Sequence, residues 1–340
     1  MPEDFLIKNE REIIDQINNL FGFSADRGVI KGIGDDCAVL RKDSKGCFLI
    51  TTDMLVEGVH FDLAWHPPYL LGRKTGAVNL SDIAAMGGQP RFALLNMAFP
   101  GSAPAWLDAF LAGFHEMLQE HDTLLVGGDT VKSSNDLSIA VTIIGEAAED
   151  KICYRTGAVN GDLVFVSGFL GDAAAGLALC RAGLFHDHSG QWQQLLNAHL
   201  DPEPQVQLGK ILAESGLVHA MMDISDGLST DLAHLCVESG TGAEVFQEDL
   251  PVSAQLKSAA EKLANPAQDW ILKGGEDYQL LFTVASDDAQ KLRRLVLEKN
   301  GREIFCLGKI ITGRGVFLSD GLQRQEISYQ GYDHFSALKS

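Results

Sequence analysis

Hydrophobic residues recur along the chain with two periodicities, one typical of helices and one typical of buried strands. Apolar side chains follow helical spacing over 4–20, 69–86 and 104–121. Short apolar runs lie between these segments and predict buried strands at 37–41, 47–50, 92–99, 123–126 and 137–145. The first half of the chain therefore predicts the order strand, strand, helix, strand, helix, strand, strand, which builds an α/β layer.

The second half repeats this alternation after a polar segment at 147–151, which is the predicted linker. Strands are expected at 162–167, 218–222, 279–284, 303–311 and 315–318, and helices at 205–215, 228–239 and 287–299. A length of 340 residues suits two domains of ordinary size. We therefore expect an α/β (α+β) fold with domains at 1–148 and 149–340.

Composition places the chain among globular proteins and narrows its partners. Hydrophobic residues make up 46%, and the formal net charge is −19. Because binding to a nucleic acid backbone relies on Lys and Arg, this charge disfavours a nucleic acid partner. No apolar run approaches the roughly 20 residues of a membrane span, and the first residues lack the pattern of a secretory signal. The six cysteines are scattered without a CxxC pair, which argues against a zinc site and fits a cytoplasmic location.

Aspartates stand beside Gly, Ser or Thr at the ends of several apolar runs. This pattern occurs at 32–36, 51–53, 127–130 and 223–227. A further aspartate, Asp82, lies in an alanine-rich predicted helix, where a buried carboxylate is costly unless it is paired or binds a metal. Carboxylate oxygens are hard ligands that suit Mg²⁺, and many of them together indicate several ions around a polyphosphate. The candidate set is Asp36, Asp53, Asp82, Asp129, Asp223 and Asp226.

Each of these residues taken alone also has a simpler explanation. Asp82 can face solvent on an amphipathic helix, and Asp226 can cap the helix that follows it. Arg155 can clamp a phosphate or lie on the surface, and His60 can be structural or contact a substrate beside the metal cluster. Much of the acidic excess fits a solubilising surface.

The signatures of several other enzyme classes are missing from the sequence. It contains no GxxxxGK[ST], no GxGxxG at a strand–helix junction, no HRD…DFG set and no GxSxG. Phosphoryl transfer needs charge neutralisation and in-line positioning more than a covalent catalyst. The lack of a catalytic triad is therefore compatible with a phosphotransferase.

The motifs taken together resemble a known family. They read GIGDDCAVL, TTDMLVEGVHF, NLSDIAAMGG, VGGDT, YRTGA, DISDGLSTDLAHL, GGEDYQLLFT and GYDHF, and they extend over essentially the whole chain. This set resembles the thiamine-monophosphate kinase family, which belongs to the ATP-binding superfamily typified by aminoimidazole ribonucleotide synthetase. The resemblance implies the two-domain fold of that superfamily, with mixed sheets and helices on one face of each. It also implies ATP-dependent phosphorylation of thiamine monophosphate to thiamine diphosphate, and a homodimer joined through the N-terminal halves.

The resemblance also assigns roles to individual residues. Mg²⁺ ions are expected on Asp36, Thr51, Thr52, Asp53, Asp82, Asp129, Asp223 and Asp226. ATP contacts are expected from Gly128, Asp129, Arg155 and Ser225, with His121 near the position where relatives can carry a tyrosine. Substrate contacts are expected from His60, Glu276 and Tyr329, and catalytic roles from Asp53, Asp129 and Asp226.

Two other interpretations of the same motifs stay open. The first is another ATP-dependent enzyme of the superfamily, such as a selenophosphate synthetase or the ribonucleotide cyclo-ligase. Cys37, beside the aspartate pair, is a candidate nucleophile for the synthetase, although a buried cysteine is more often structural. The second is a non-catalytic protein that binds Mg-nucleotide or thiamine phosphate, which the full set of aspartates disfavours.

Overall fold

The computed structural model describes residues 10–21, 27–101, 103–186 and 190–335. The strands of these residues form two mixed sheets, one of six strands in the first half and one of seven strands in the second half. Within the same ranges, no helix is both long enough and apolar enough to cross a membrane.

The first sheet is covered by helices on one face. Its half of the chain contains, in order, α1 (Glu10–Phe21), β1 (Val29–Lys31), β2 (Ala38–Arg41), β3 (Gly46–Val56), α2 (Pro68–Ala85), β4 (Gln89–Phe99), α3 (Pro104–Glu120), β5 (Leu124–Lys132) and β6 (Ser138–Ala148). The strand order is β1-β2-β3-β6-β4-β5, with β4 and β5 parallel and the other pairs antiparallel. The helices α2 and α3 pack against each other, and α2 also contacts β3 and β6.

The second sheet is built from the remaining strands. Its half contains β7 (Leu163–Val166), α4 (Asp172–Arg181), α5 (Gln193–Leu200), α6 (Val206–Ser215), β8 (Val218–Asp223), α7 (Leu228–Ser239), β9 (Gly242–Phe246), α8 (Ala254–Leu263), α9 (Ala267–Lys273), β10 (Leu280–Val284), α10 (Ala289–Asn300), β11 (Phe305–Ile311), β12 (Val316–Ser319) and β13 (Arg324–Glu326). The strand order is β13-β12-β9-β11-β7-β10-β8, and only β9 and β12 pair in parallel.

The second sheet carries helices on both faces, where helices on one face were expected. Alternate residues of β7 belong to two different hydrophobic clusters. Phe165 packs in the cluster that includes α2, α6 and α10, whereas Val164 and Val166 pack in the cluster of α4, α5, α7, α8 and α9. Because successive side chains of a strand point to opposite faces, both faces of this sheet are buried.

Helix α2 lies between the two halves of the molecule. Nearly all of its residues from Leu71 to Ala85 are buried, since it contacts β3 and β6 on one side and α6 and β8 on the other. The approach of α6 is close enough to require glycine, because a Cβ added to Gly209 would lie 2.1 Å from the carbonyl oxygen of Ala84. Polar residues of α2 can therefore reach groups from both sheets.

Most of the predicted elements are confirmed. The predicted helices at 69–86 and 104–121 correspond to α2 and α3, and the helix expected at 228–239 is α7. The first helix is present as α1, but residues 4–9 of that prediction lie outside the described residues. The predicted linker at 147–151 is divided between the end of β6 and a 3₁₀ turn at Glu149–Lys151.

The sequence predicted that two aspartate motifs follow their strands. The structure instead places both motifs within the strands. Residues 51–53 belong to the middle of β3, which pairs with β6 along its whole length as far as Val56. Residues 127–130 belong to β5, which continues to Lys132 beside β4. Pairing with a long neighbouring strand extends both strands beyond the apolar runs that predicted them. Apolar runs therefore underestimate strand length here.

Candidate functional site

Three aspartates from three separate elements converge between the two sheets. Asp36 lies in the segment between β1 and β2, Asp82 on α2, and Asp223 at the end of β8. One carboxylate oxygen from each lies within 4.8 Å of the others. Asp36 Oδ2 is buried and has no hydrogen-bond partner among the described residues. A divalent cation fits this place, because it would satisfy the orphaned oxygen and offset three close negative charges.

Hydrogen bonds from neighbouring hydroxyl groups orient two of the three carboxylates. Ser81 Oγ donates to Asp223 Oδ2 at 2.5 Å, and Thr51 Oγ1 donates to Asp82 Oδ2. These bonds hold Oδ2 of Asp82 and Oδ2 of Asp223. The predicted metal residue Thr51 therefore lies at the cluster through its hydroxyl group.

The neighbouring residues Asp53 and Thr52 point to opposite faces of β3. The backbone N–H of Asp53 donates to Asn79 Oδ1 on α2 at 3.0 Å. The Asp53 carboxylate lies close enough to Asp82 and Asp36 for both of them to shift its pKa. Thr52 is exposed on the other face, where its Oγ1 donates to the Val141 carbonyl at 3.1 Å. Since residues alternate along a strand, the Thr52 side chain cannot join the cluster with its neighbours.

Burial and mutual repulsion keep the cluster partly protonated in the absence of metal. Burial, together with the nearby Asp36 carboxylate, raises the pKa of Asp223 to about 7 and the pKa of Asp53 to about 6. Burial also raises the pKa of Asp36 and that of Asp82, the latter with help from Asp53 and Asp223. A group of carboxylates that resists ionisation when empty is a suitable site for a multivalent cation, which favours the charged form.

Arg155 is paired with the cluster in this structure. Its Nε and Nη2 atoms donate to Asp36 Oδ1 at 3.1 and 2.5 Å. Ser239 Oγ donates to the Arg155 carbonyl oxygen at 3.1 Å, which fixes the segment that carries it. The guanidinium group thus lies at the cluster, where it neutralises the Asp36 carboxylate.

The turn after β8 is held by a residue that the sequence analysis missed. The buried Asp231 accepts hydrogen bonds from the backbone N–H groups of Asp226 at 3.1 Å and Gly227 at 3.0 Å. Ser225 accepts a hydrogen bond at its carbonyl from the Glu276 N–H at 2.8 Å, and burial raises the pKa of Asp226 to about 6. The signal for Asp231 was an aspartate in the first turn of α7, where it can accept from free N–H groups.

A cavity of about 140 Å³ is lined by two of the predicted substrate residues, His60 and Glu276, and the Glu276 N–H bonds to Ser225, two residues after Asp223. Its lining also includes Phe61, Trp65 and Arg181. His60 Nδ1 accepts a hydrogen bond from the Val56 N–H at 3.1 Å, which fixes the ring. The combination of aromatic rings with the carboxylates of Glu276 and Asp62 is typical of a site for a small cationic or heteroaromatic molecule.

The third predicted substrate residue, Tyr329, lies elsewhere in the C-terminal segment. The Arg11 guanidinium is 5.1 Å from the centre of its ring, and His234 is 5.3 Å away edge to face. His334 lies closer to the cavity, with its ring centre 5.0 Å from that of His60 and 4.8 Å from that of Tyr332. The structure therefore brings Tyr332 and His334, rather than Tyr329, towards His60.

Comparison with known proteins decides the family. Residues 34–147 match the family "AIR synthase related protein, N-terminal domain", and 159–321 match its C-terminal domain counterpart. The thiamine-monophosphate kinase of Buchnera aphidicola (Acyrthosiphon pisum) is 36% identical over 91% of this chain and 94% of its own length. That of Escherichia coli K12 is 37% identical over 90% of this chain and 92% of its own length. The chain belongs to the thiamine-monophosphate kinase family.

Solved structures of this family share the fold over nearly the whole chain. AaThiL complexed with AMPPCP and TMP superposes with a TM-score of 0.85, with 33% identity over 98% of this chain and 99% of its own. The thiamine-monophosphate kinase of Stenotrophomonas maltophilia gives a TM-score of 0.76, with 35% identity over 91% of this chain and 95% of its own. The hydrogenase maturation protein HypE, at 20% identity and a TM-score of 0.68, shares the fold alone.

Some residues that the family resemblance assigns to the site lie away from the carboxylate cluster. Asp129 is exposed on the edge strand β5, and the strand registers place it in one row with Asn96 and Met54, on the face opposite α2. Gly128 before it approaches β4 so closely that an added Cβ would lie 1.8 Å from the Leu95 carbonyl oxygen. His121 follows the last turn of α3, where burial lowers the pKa of its ring.

Proposed function

We propose that this protein transfers the terminal phosphate of ATP to thiamine monophosphate, giving thiamine diphosphate and ADP. The observation that carries the proposal is the convergence of Asp36, Asp82 and Asp223 with an orphaned buried oxygen. The cavity of His60 and Glu276 is joined to this region by the hydrogen bond from the Glu276 N–H to Ser225, two residues after Asp223. A kinase for a phosphorylated cation needs both parts, a place for Mg-polyphosphate and a place for the cation. The relatives named above, which are thiamine-monophosphate kinases, support this assignment.

The transfer needs no covalent intermediate with the protein. A phosphate oxygen of thiamine monophosphate attacks the γ-phosphorus of ATP while the bond from that phosphorus to the bridging oxygen of ADP breaks. That nucleophile is already anionic near neutral pH, so the protein needs to supply alignment and charge neutralisation rather than a strong base.

We propose that several Mg²⁺ ions are held by Asp36, Thr51, Thr52, Asp53, Asp82, Asp129, Asp223 and Asp226, with Thr52 acting through backbone oxygen. Bound Mg²⁺ would supply neutralisation of the polyphosphate charge. Arg155 would leave Asp36 for a phosphate oxygen when metal takes over that carboxylate. For ATP contacts we further propose Ser225, Gly128, Asp129 and His121. For substrate contacts we propose His60, Glu276 and Tyr329. We assign catalytic roles to Asp53, Asp129 and Asp226.

We propose that the protein is a cytoplasmic homodimer joined through the uncovered face of the first sheet, and that its domains divide at 148/149. That face exposes large apolar side chains, which is unusual for a monomer: Met54 is 58%, Leu124 64% and Val131 53% exposed. Among the described residues, edge strand β5 also has no pairing strand on its outer side. Asp129 lies on this same face, so Gly128 and Asp129 would act at the boundary between subunits.

The test is an assay of the purified protein with ATP, Mg²⁺ and thiamine monophosphate, in which both products are quantified. Equimolar ADP and thiamine diphosphate are expected, with none formed in EDTA or when thiamine replaces thiamine monophosphate. Asp82→Asn is expected to lower turnover by at least about 100-fold, whereas the exposed Asp150→Asn is the matched control and should match wild type. ADP without thiamine diphosphate would point to another acceptor, and binding without turnover would point to a non-catalytic protein.

A further inference from the structure

A fully buried lysine lies behind the cavity. Lys74, on α2, has a side chain with no exposed surface, and its Nζ is 2.7 Å from Glu276 Oε1. The other oxygen of Glu276, Oε2, lies 3.1 Å from His199 Nδ1 on α5. Two elements from different parts of the fold therefore hold the two oxygens of one carboxylate, which itself remains 23% exposed towards the cavity.

Lys74 supplies the positive charge of this group. Burial lowers the pKa of His199, and so does the Lys74 ammonium; burial likewise lowers the pKa of the adjacent His66 to about 3. Both rings are thus neutral near neutral pH. Although burial by itself would raise the pKa of Glu276, Lys74 and His199 together hold it well below its usual range. Glu276 is a permanent anion as a result.

The backbone of Glu276 is also held in an uncommon conformation. Its φ is +68°, a left-handed value that glycine adopts easily and glutamate does not. Hydrogen bonds maintain this backbone, since the Glu276 N–H donates to Ser225 at 2.8 Å and the following Asp277 carboxylate accepts from the Gly171 N–H at 2.7 Å. Strained backbone that is fixed by its surroundings is common where a side chain must be aimed at a ligand.

Stability alone does not explain this arrangement. A buried ion pair is costly to desolvate, and well-packed apolar residues in its place are often neutral or stabilising. The carboxylate also faces a cavity whose lining includes the aromatic residues Phe61 and Trp65, which suit the faces of a flat cation, and the oppositely charged residues Asp62 and Arg181, which offset each other. A fixed anion there would favour a positively charged ring.

We propose that Lys74 is a positioning residue that, together with His199, aims the Glu276 carboxylate into the cavity, and that this carboxylate selects the cationic ring of thiamine monophosphate over a neutral ring of the same shape. This inference rests on the proposed function, because it concerns the same substrate. It adds a residue outside the predicted site and a physical basis for substrate choice.

The experiment compares KM for thiamine monophosphate with KM for the monophosphate of 3-deazathiamine, in which a neutral ring replaces the thiazolium. Wild type should favour the cationic substrate by about tenfold or more. In Lys74→Met and in Glu276→Gln this preference should collapse towards unity, while KM for ATP stays within about threefold of wild type. Arg73→Met is the matched control, since it removes the neighbouring cation of α2, which pairs with Asp201 outside the cavity; its preference should remain that of wild type.

Lys74→Met alone leaves the Glu276 carboxylate without its cation and can fold poorly. The double variant Lys74→Met/Glu276→Gln leaves no unpaired buried charge, so it keeps the test decisive. If Lys74 acts through Glu276, the double variant should lose no more of the preference for the cationic substrate than Glu276→Gln loses. A loss of preference equal to the product of the two single losses would overturn the inference. An unchanged preference in folded Lys74→Met would also overturn it while leaving the proposed function intact. Absence of thiamine monophosphate turnover in wild type would overturn both.

Discussion

Ser81 Oγ donates a 2.5 Å hydrogen bond to Asp223 Oδ2, and this bond joins α2 of the first half to the end of β8 in the second half. The next residue along the helix, Asp82, points into the same cluster. The carboxylate cluster therefore exists only when the two halves are packed together, and its chemistry is coupled to the packing of α2.

Neutralising one carboxylate of the cluster should stabilise the metal-free protein and abolish its response to metal. Burial and the nearby Asp53 and Asp223 hold the Asp82 carboxyl protonated in the metal-free fold, which costs free energy at neutral pH because the unfolded chain ionises it. Asp82→Asn removes that cost, so its melting temperature in EDTA should exceed that of wild type. Mg²⁺ should raise the melting temperature of wild type but not that of the variant, as measured by thermal denaturation. An equal Mg²⁺ response in both proteins would contradict the metal assignment.

The stabilising effect of such a substitution should depend on pH. In metal-free protein the pKa of Asp223 is raised to about 7 by burial, against an ordinary value of about 3.9 in the unfolded chain. Between these values the folded state binds more protons, so wild-type stability falls as pH rises. The melting temperature of Asp223→Asn minus that of wild type should therefore increase from pH 4.5 to pH 7.5 in EDTA. A difference that is flat across this window would show that Asp223 ionises normally.

Removing the Arg155 guanidinium from the cluster should destabilise the metal-free protein. Arg155→Met leaves buried Asp36 without its partner, which should lower the free energy of unfolding by about 3 kcal/mol in EDTA, measured by urea denaturation. The loss should be smaller in Mg²⁺, and KM for ATP should rise. Arg41→Met is the control, because its pair with Glu149 is exposed and screened by solvent, so its loss should be much smaller than that of Arg155→Met. Equal losses in the two variants would argue against a buried ion pair.

A charge on the uncovered sheet face should dissociate the proposed homodimer. Leu124→Glu places a carboxylate on edge strand β5, where the native side chain is exposed in the single chain. Sedimentation should show a dimer for wild type and a monomer for the variant. Leu322→Glu, at a similarly exposed leucine in the second half, should stay dimeric. A dimeric Leu124→Glu protein would place the interface elsewhere.

Two tyrosines of the C-terminal segment should differ in their effect on substrate use. Tyr332 contacts His334, which in turn lies beside His60, whereas Tyr329 packs with Arg11 and His234. Tyr332→Ala should therefore raise KM for thiamine monophosphate by about tenfold or more, and Tyr329→Ala by less. The reverse order in steady-state kinetics would restore Tyr329 as the aromatic contact.

Periodicity predicted the elements that bury a continuous apolar face, and it missed those with mixed or short patterns. The helices α2, α3 and α7 were predicted because their apolar residues recur at helical spacing over three turns or more. The strand β9 and the helices α8 and α9 were not predicted; β9 is five residues long and α9 seven. Such short elements gain their stability from neighbours that are distant in sequence.

The sequence by itself determined the family, the element order and the candidate carboxylates, because these depend on residue type and local spacing. Only the tertiary structure decided which of them meet. Packing of α2 between the sheets brought Asp36, Asp82 and Asp223 together, while strand alternation turned Thr52 away and the edge position of β5 kept Asp129 apart. It also placed Lys74 behind Glu276, 202 positions later in the chain, a contact that no local pattern predicts. Side-chain proximity across such distances is set by the packing of whole elements, which local spacing does not encode.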